Sequence, residues 1–369
     1  MVKSATELAK RYILELTPYI AGKPIEETKR QLGLKKVIKL ASNENPLGVS
    51  PKALAAIKKA LVGLNRYPDS SAYYLKRKLA RYYNLKPENF IIGNGSDELI
   101  DIIIKTFVEK GEAVLTADTT FLEYGIIARV NGCRLVAAPL KYFKYDLEAI
   151  AKRINKETKA IFIANPNNPT GTYITNKELE NFVSSLDSGV LLILDEAYDA
   201  FIDVRDFPNS LQYLNHKNII ILKTFSKAYG LAGLRIGYAI ADSGLIACLE
   251  KARQPFNVNL LAQVAAIAAL EDKKFLVRTR KVVLEGKDYL YDNLKKMGLA
   301  YVPSVANFIL VDVGKDSLDL FKDMLKFGVI VRDMKQYGLN NFIRVTIGTK
   351  KENEKFIKVL KKVLRKEKQ

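Results

Sequence analysis

Residues 224–238, TFSKAYGLAGLRIGY, combine a lysine, hydroxyl groups, an arginine and closely spaced glycines in one short segment. The preceding apolar run, 219–222, is typical of a buried strand, and the glycines argue against an ordinary surface helix. Lys227 can bind an anion as a point charge or, once desolvated, act as a nucleophilic amine. The hydroxyl groups of Thr224 and Ser226 and the guanidinium of Arg235 are suited to binding a phosphate close to Lys227. The segment therefore predicts an anion site with a reactive lysine, against the alternative of a glycine-rich loop with incidental basic residues.

A second candidate for phosphate binding is GNGSDE at residues 93–98, which follows the apolar residues 90–92 and opens a helical pattern. Free amides in the first turn of a helix can bind a phosphate. A helix N-cap at Ser96 or Asp97 is the alternative, and the two interpretations are compatible. A dinucleotide fingerprint would require a glycine where Glu98 stands, which argues against a dinucleotide site.

Charged residues beside or within apolar runs give two further candidates. Asp195 follows the apolar residues 190–194 and precedes Tyr198 by three positions, although an acidic strand end in solvent is an alternative. Arg344 lies within the apolar strand pattern 341–347, where an unpaired charge would be costly. That cost favours a specific anionic partner for Arg344 over a casual surface position.

The composition excludes several classes of protein. With 369 residues the chain is expected to form two domains, and 48% hydrophobic and 27% charged residues are ordinary for a soluble globular protein. A single histidine, His216, argues against a Ser-His-Asp triad and a multi-histidine metal site. Cys133 and Cys248 lie far apart and suggest neither a disulfide framework nor a metal site. No signal-peptide pattern or membrane-length apolar run is found, so no membrane association and a cytoplasmic location are expected.

The formal net charge of +19 raises the possibility of a nucleic-acid-binding protein. The lysines are nevertheless spread along the chain, and the densest block is residues 350–369. There, apolar residues at helical spacing mark one face and the lysines occupy the other, which favours a solvated amphipathic helix. The charge would still attract anionic substrates. No nucleic-acid partner is predicted.

Apolar runs alternate with helical patterns through the middle of the chain. Strands are predicted at 90–92, 113–116, 134–138, 160–164, 190–194, 219–222 and 236–240. Helices are predicted at 97–107, 121–130, 147–154 and 176–186. Such alternation predicts a mainly parallel sheet with helices on both faces, an α/β fold.

After residue 242 the pattern changes to long helices, at 259–270 and 274–296. Strand patterns at 304–313 and 341–347 then predict a smaller α+β unit, closed by the terminal helix.

Five segments, taken in order, resemble the large aminotransferase family of pyridoxal-phosphate enzymes. They are SNENPLG at 42–48, GNGSDE at 93–98, NPNNPTG at 165–171, DEAY at 195–198 and the lysine segment at 224–238. The resemblance extends from about Tyr19 to Thr349, nearly the whole chain. It implies a fold type I transferase dependent on pyridoxal 5'-phosphate, in which a seven-stranded, mainly parallel sheet has one antiparallel strand. It also implies a smaller α+β domain and a homodimer.

The same resemblance implies a division of the chain. Residues 1–48 would form an N-terminal arm or part of the small domain, 49–271 the large cofactor-binding domain, and 272–369 the C-terminal small domain.

The resemblance also implies catalytic roles. Lys227 would hold the cofactor and, once freed by the substrate amine, move a proton. Asp195 would pair with the pyridine nitrogen and keep it protonated, which improves the ring as an electron sink. Tyr198 and Asn168 would contact the phenolate oxygen of the cofactor. No metal ion is implied.

Other residues are assigned to the cofactor phosphate and ring by the same comparison. The phosphate would be bound by Gly95, Ser96, Asp97, Thr224, Ser226 and Arg235, with Tyr67 reaching across from the neighbouring subunit. Phe121 matches the ring-stacking position better than Tyr124, although Thr119, where relatives usually have proline, leaves both rings open.

The substrate contacts are assigned to Tyr19, Asn45, Tyr124, Arg332 and Arg344. Arg344 would bind a carboxylate in the bidentate manner of arginine, and Arg332 and Tyr19 a substrate phosphate. Residues 43–46, 66–69, 331–333 and 343–349 are most similar to the histidinol-phosphate branch of the family. That branch implies transfer of an amino group from L-histidinol phosphate to 2-oxoglutarate. Alternatives are an aromatic or broad aminotransferase, or a threonine-phosphate decarboxylase on the same scaffold.

Overall fold

The computed structural model describes residues 5–18, 22–216 and 218–365. In chain order, the strands within these ranges are β1 Ile38–Lys39, β2 Phe90–Gly93, β3 Ala113–Ala117, β4 Arg134–Ala138, β5 Leu140–Lys141, β6 Lys144–Tyr145, β7 Thr158–Ala164, β8 Leu191–Asp195, β9 Ile219–Thr224, β10 Gly237–Ala241, β11 Tyr301–Val302, β12 Phe308–Asp312, β13 Val329–Ile330, β14 Arg332–Asp333 and β15 Phe342–Thr346.

The α-helices of the same ranges are α1 Arg11–Leu14, α2 Ile25–Leu32, α3 Pro51–Ala60, α4 Tyr73–Tyr83, α5 Ser96–Phe107, α6 Glu123–Val130, α7 Leu147–Ala151, α8 Asn176–Ser185, α9 Ser243–Ala252, α10 Leu260–Glu271, α11 Lys273–Lys296, α12 Ser317–Lys326 and α13 Lys350–Arg365. Short 3-10 helices are found at Ala5–Leu8, Leu61–Gly63, Pro87–Asn89, Asp199–Phe201, Ser210–Tyr213, Ala232–Leu234 and Lys335–Tyr337.

The central sheet has seven strands in the order β2-β10-β9-β8-β7-β3-β4. Strand β10 runs antiparallel to both of its neighbours, and the other pairs are parallel. Strands β2, β3, β8 and β10 are buried along their whole length, which requires the near-continuous apolar runs seen in the sequence. The predicted seven-stranded, mainly parallel α/β sheet with one antiparallel strand is confirmed.

A second, antiparallel sheet has the order β11-β12-β15-β14. Its core joins strand residues such as Phe308 and Val345 to Leu290 of α11 and Phe356 of α13. The predicted apolar face of the terminal helix is therefore confirmed. Strand β1 pairs with β13 in parallel, so the segment before residue 40 adds to this smaller unit.

The parallel strands place three polar loops at one edge of the central sheet. Strands β7, β8 and β9 end at Ala164, Asp195 and Thr224, and Ala164 is in register with Asp195. Ligand sites of open α/β sheets form at the carboxyl ends of parallel strands. The loops that follow these strands carry three of the segments predicted to hold the site.

Helix α6 begins later than predicted, at Glu123 instead of residue 121. Tertiary hydrogen bonds hold the preceding loop out of the helix: the hydroxyl of Thr120 donates to Oδ1 of Asn167 at 2.8 Å, and Nδ2 of Asn167 donates to the carbonyl of Thr119 at 3.1 Å. Phe121 therefore lies before the helix. Along the described ranges, no helix combines the length and apolar character needed to cross a membrane.

Candidate active site

A cavity of about 240 Å³ lies where the carboxyl ends of β7, β8 and β9 meet the second sheet and the segment around residue 43. It brings together most of the residues predicted to act in the site. Those that line it are Ser96, Asp97, Phe121, Tyr124, Asn168, Asp195, Tyr198, Thr224, Ser226, Lys227, Arg235 and Arg344.

Several predicted residues lie elsewhere. The side-chain amide of Asn45 donates to the carbonyl of Ala228 at 2.8 Å and to the hydroxyl of Thr279 at 3.1 Å, so it ties loops together outside the lining. Arg332 also lies outside the lining, and its Nη2 donates to Oε1 of Gln336 at 3.1 Å. Tyr67 is 83% exposed and stacks on a neighbouring ring. Tyr19 is outside the described residues.

Asp195 forms a buried acidic wall of the cavity. Its carboxylate accepts hydrogen bonds from the hydroxyl of Tyr124 at 2.7 Å and from the backbone amide of Ala197 at 3.1 Å. Burial raises the pKa of Asp195 to about 6, and the two hydrogen bonds oppose that rise. No cation pairs with this carboxylate among the described residues, so it is suited to a cationic or protonated group of a ligand.

Tyr124 and Phe121 differ in how much of each ring is free. Tyr124 is fully buried, stacks on Phe162 at 5.0 Å and commits its hydroxyl to Asp195. Burial and the nearby Asp195 charge raise the pKa of Tyr124 well above its ordinary value, so it stays a hydrogen-bond donor. Phe121 packs edge-on against Tyr124 and remains partly exposed at the cavity. Tyr124 therefore supports Asp195, while Phe121 has the ring face that a ligand could cover.

Lys227 follows β9 and extends toward the segment before α3. Its Nζ lies 3.4 Å from the carbonyl of Ser42 and 5.6 Å from the ring centre of Tyr198. The hydroxyl of Tyr198 accepts a hydrogen bond from Nδ2 of Asn43 at 2.9 Å. An amine with one long hydrogen bond, beside a phenol and within a walled cavity, can react with a carbonyl group.

The opposite end of the cavity is suited to a phosphate. Arg235 donates from Nη2 to Asp97 at 2.9 Å and from Nη1 to Ser226 at 3.5 Å, at the start of α5. Glycine is favoured at position 95 because its φ of +86° is a backbone conformation that L side chains rarely adopt. A Cβ on Gly237 would lie 2.9 Å from the backbone nitrogen of Ser96. The bare backbone, the helix amides and the guanidinium form a cradle for an anion.

Arg344 closes the cavity from the second sheet and is only 4% exposed. Its Nη1 donates to Oδ1 of Asn168, and its Nη2 donates to the carbonyl of Ala41 at 2.8 Å. Its Nε has no partner, and no carboxylate pairs with its charge, in the part of the chain described by the structure. The carbonyl and amide oxygens leave the positive charge uncompensated, so an anion would be stabilised here.

The sequence analysis missed Ser42, Asn43 and Glu44, which also line the cavity. The prediction for the SNENPLG segment named Asn45, whereas the lining contains Asn43. A signal was present, since asparagine adopts the left-handed conformation more readily than most residues, and Asn43 has a φ of +54°.

Behind the cavity, the buried residues Lys223 and Glu196 form an ion cluster with the partly exposed Asp199. Nζ of Lys223 donates to Glu196 at 2.5 Å and to Asp199 at 2.6 Å, and Lys223 is 8% exposed. Burial alone would lower the pKa of Lys223, but the carboxylates of Asp199 and Glu196 raise it well above its ordinary value. The two carboxylates flank Tyr198 and follow Asp195, so the cluster holds the turn that carries both cavity residues.

A wider and more open groove, of about 770 Å³, lies over the β5-β6 hairpin and helices α7 and α8. It contains none of the residues described above, and the smaller cavity is where the reactive groups converge. Within residues 5–18, 22–216 and 218–365, His, Cys, Asp and Glu side chains form no cluster of three or more that could hold a metal ion.

The donor set of the cavity fits pyridoxal 5'-phosphate. The glycine-lined cradle at one end suits its phosphate, the buried carboxylate of Asp195 suits a protonated ring nitrogen, and Lys227 suits its aldehyde. This fold and this donor set define a pyridoxal-phosphate-dependent transferase of fold type I. The chain belongs to the aminotransferase class I and II family, whose model matches residues 35–360. Its cofactor is pyridoxal 5'-phosphate, as the sequence predicted.

Known relatives agree with the branch of the family that the sequence predicted. A histidinol-phosphate aminotransferase of Moorella thermoacetica is 49% identical over 95% of this chain and 92% of its own length. One of Caldicellulosiruptor saccharolyticus is 45% identical over 96% of this chain and 99% of its own. The crystal structure of histidinol-phosphate aminotransferase from Sinorhizobium meliloti in complex with pyridoxal-5'-phosphate matches with a TM-score of 0.90 at 30% identity, covering 98% and 99% of the two chains.

Proposed function

We propose that the chain transfers the amino group of L-histidinol phosphate to 2-oxoglutarate, giving imidazole acetol phosphate and L-glutamate for histidine biosynthesis. The relatives of 45–49% identity carry the name of this activity. The proposal rests on one observation: a lysine, a buried carboxylate and a buried arginine without a counter-charge in the described residues line the same cavity. These are the groups that an amino-group transfer between two anionic substrates requires.

When bound, pyridoxal phosphate supplies an electron sink for the bond broken at the substrate Cα. Lys227 Nζ takes the proton from that carbon and returns it at the other end of the transfer, since the only histidine, His216, is exposed outside the cavity. Asp195 keeps the ring nitrogen protonated. Tyr198 and Asn168 donate to the ring oxygen, and Phe121 covers the ring.

The anionic end of the substrate is assigned to the second sheet. Arg344 binds the carboxylate of glutamate, and its uncompensated charge at the cavity supports this role. Arg332 lies directly opposite Arg344 on the paired strand and adds positive charge for the phosphate of the larger substrate. Tyr19 is assigned to the same phosphate. Asn45 acts on the substrate only indirectly, through the loops that its amide joins.

The active form is proposed to be a cytoplasmic homodimer. Apolar side chains are exposed at Leu54 in α3 and at Leu61, Val62 and Leu64 after it. The exposed Tyr67, which follows them in sequence, stacks on Phe256 at 4.7 Å. An exposed apolar patch of this kind is typical of an interface between subunits. Tyr67 would then contact the cofactor phosphate of the neighbouring subunit.

The proposed domain division places the boundaries near residues 48 and 271. The pairing of β1 with β13 supports an N-terminal segment that joins the small domain. The 24-residue helix α11 begins at Lys273 and packs into the core of the second sheet, which supports the second boundary.

The decisive experiment is a set of single half-reactions with the purified, cofactor-loaded protein. Histidinol phosphate, phenylalanine and threonine phosphate are each mixed with the protein, and the loss of the visible absorption band is followed. We expect histidinol phosphate to react fastest, and 2-oxoglutarate to complete the cycle by accepting the amino group and restoring the band. Faster reaction of phenylalanine would favour an aromatic aminotransferase, and loss of carbon dioxide from threonine phosphate would favour a decarboxylase.

A further inference from the structure

Asn43 forms hydrogen bonds through both its backbone and its side chain, with Thr346, Asn307 and Tyr198. It is 1% exposed, adopts a left-handed backbone conformation with φ of +54°, and lies between the second sheet and Tyr198. Its backbone amide donates to the hydroxyl of Thr346 at 2.9 Å, and its carbonyl accepts from Nδ2 of Asn307 at 3.0 Å. These bonds fix the backbone of Asn43 to two segments distant in sequence: the end of β15, which contains Thr346, and the residue before β12, which is Asn307.

The side-chain amide of Asn43 has a defined orientation. The hydroxyl of Thr346 accepts a bond from the Asn43 backbone, and its own proton goes to Oδ1 of Asn43 at 3.1 Å. Nδ2 must then point the other way, toward the hydroxyl oxygen of Tyr198 at 2.9 Å. The reverse orientation would leave the Thr346 proton without this acceptor, and buried hydroxyl protons find acceptors.

This orientation determines what Tyr198 can do with its own proton. Tyr198 is the acceptor in the bond with Asn43, so its single proton is available to another group. Among the residues that the structure describes, no side chain or backbone carbonyl accepts the hydroxyl proton of Tyr198. Tyr198 lines the cavity, so the free direction leads to whatever the cavity holds. A hydroxyl that accepts a hydrogen bond also becomes a stronger donor.

We propose that Asn43 is a positioning residue that directs the hydroxyl proton of Tyr198 into the cavity, toward the ring oxygen of the bound cofactor. This role rests on the proposed function, in which Tyr198 donates to that oxygen. The side-chain amide of Asn43 donates to the hydroxyl oxygen of Tyr198, so the Tyr198 proton must point elsewhere. Thr346 contributes indirectly, because its hydroxyl fixes the orientation of the Asn43 amide. Asparagine is suited to the position because it tolerates the left-handed conformation and provides both a donor and an acceptor.

Two substitutions at Asn43 separate its donor from its backbone conformation. Glycine tolerates the positive φ and removes the donor without adding charge. In Asn43→Asp the carboxylate can only accept, so the Tyr198 proton is drawn away from the cavity. Asn307→Ala is the matched control, because it removes a bond to the Asn43 carbonyl and leaves the amide intact. Asn43→Gly and Asn307→Ala leave the charged groups that line the cavity unchanged, whereas Asn43→Asp adds one carboxylate to them. Those groups are Glu44, Asp97, Asp195, Lys227, Arg235 and Arg344.

The readout is the pH midpoint of the visible absorption band of the cofactor-loaded protein, together with kcat and KM measured separately. We expect Tyr198→Phe to raise the midpoint by about one pH unit, the value of one net hydrogen bond. Asn43→Asp should raise it at least as far, and Asn43→Gly should raise it by part of that shift. The double variant Asn43→Gly with Tyr198→Phe should match Tyr198→Phe alone, because the amide acts through the phenol.

The outcomes distinguish this inference from the proposed function. Midpoints in Asn43→Gly and Asn43→Asp equal to wild type, with Tyr198→Phe shifted, would overturn the role of Asn43 while the enzyme stays an aminotransferase. Additive shifts in the double variant would do the same. Asn307→Ala should lower thermal stability but leave the midpoint unchanged, so an equal shift there would make Asn43 merely structural. A wild-type protein that forms no visible band with pyridoxal phosphate would instead overturn the proposed function.

Discussion

At the scale of single residues, Asp195 and Arg344 are the informative pair. Both are buried, and neither has an oppositely charged side chain beside it in the described part of the chain. Burying a charge without a counter-charge destabilises a fold, so such residues indicate a ligand that supplies the missing charge. In the proposed function, the protonated ring nitrogen supplies this charge for Asp195, and the substrate anion supplies it for Arg344.

We expect Asp195→Asn to retain the cofactor and to lose about 10²- to 10³-fold in kcat, since an amide cannot hold the ring nitrogen protonated. The pKa of Asp195 is raised to about 6, so its carboxylate forms as the pH rises through that value. Cofactor affinity of the apoprotein should therefore increase from pH 5 to pH 7. The phosphate also ionises near pH 6, and Asp195→Asn keeps that part of the dependence. Identical pH dependence in both proteins would exclude Asp195 as the partner of the ring nitrogen.

Arg344→Ala and Arg332→Ala should differ in single-turnover assays. Arg344→Ala should lower kcat/KM for both histidinol phosphate and glutamate, because it removes a buried anion partner. The loss should correspond to roughly 2–4 kcal/mol of transition-state stabilisation. Arg332→Ala should affect the phosphate substrate more, because a dianion gains more from a second guanidinium than a carboxylate does. Arg332→Lys keeps the charge and serves as the control. Equal losses for both substrates on removal of Arg332 would contradict its phosphate role.

At the scale of elements, adjacent strands β8 and β9 carry the site on one side and an ion cluster on the other. Asp195 and Lys227 reach the cavity, whereas Lys223 binds Glu196 and Asp199 behind it. The two strands are in register at Asp195 and Leu222. A cation shared by one buried and one partly exposed carboxylate therefore holds the turn that follows β8, and the ion cluster supports the geometry of the cavity.

Lys223→Met should lower the free energy of unfolding by roughly 3–5 kcal/mol, measured by guanidinium denaturation, since it leaves two carboxylates unpaired. Because the folded-state pKa of Lys223 is raised, its contribution is complete at neutral pH and is lost only as the pH rises above its ordinary value of 10.5. Adding Glu196→Gln and Asp199→Asn to Lys223→Met should restore part of the loss. A loss below about 1 kcal/mol would mean that the cluster is solvated.

At the scale of the whole molecule, the exposed apolar residues are unevenly distributed. Val62 is 92% exposed, and Leu54, Leu61 and Leu64 lie close to it in sequence. Tyr67 adds a ring at 83% exposure. Burying these side chains against a second copy would remove them from water, and the hydrophobic effect would favour that association.

Combining Val62→Glu with Leu61→Glu should dissociate the proposed homodimer into monomers in sedimentation velocity experiments, because two charges would be buried at the proposed interface. The monomer should also bind pyridoxal phosphate more weakly if Tyr67 reaches the neighbouring site. Tyr142→Asp is the control, as Tyr142 is 88% exposed on the β5-β6 hairpin and aspartate tolerates its φ of +53°. A wild-type monomer, or a charged variant that stays dimeric, would refute the interface.

The chemical groups and the order of the elements could be predicted from the sequence. The strands at 90–92 and 219–222 were found because a buried parallel strand requires a local apolar run, and observed β2 and β9 extend them by only one or two residues. Lys227, Asp195 and the glycines around residue 95 were found for a similar reason. Each lies in or next to a short loop where particular residue types are needed, such as glycine for a close backbone approach, so the local sequence is enough to recognise it.

Contacts between distant segments could not be predicted. Tyr124 meets Asp195 across 71 positions, and Asn43 meets Tyr198 across 155, so no local pattern records either bond. The same holds for Asn45, which joins loops outside the cavity, and for Arg332, which lies opposite Arg344 without reaching the lining. Periodicity states which face of an element is apolar. The packing of the central sheet against the second sheet decides which side chains meet at the edge of the central sheet. That packing is a property of the whole chain.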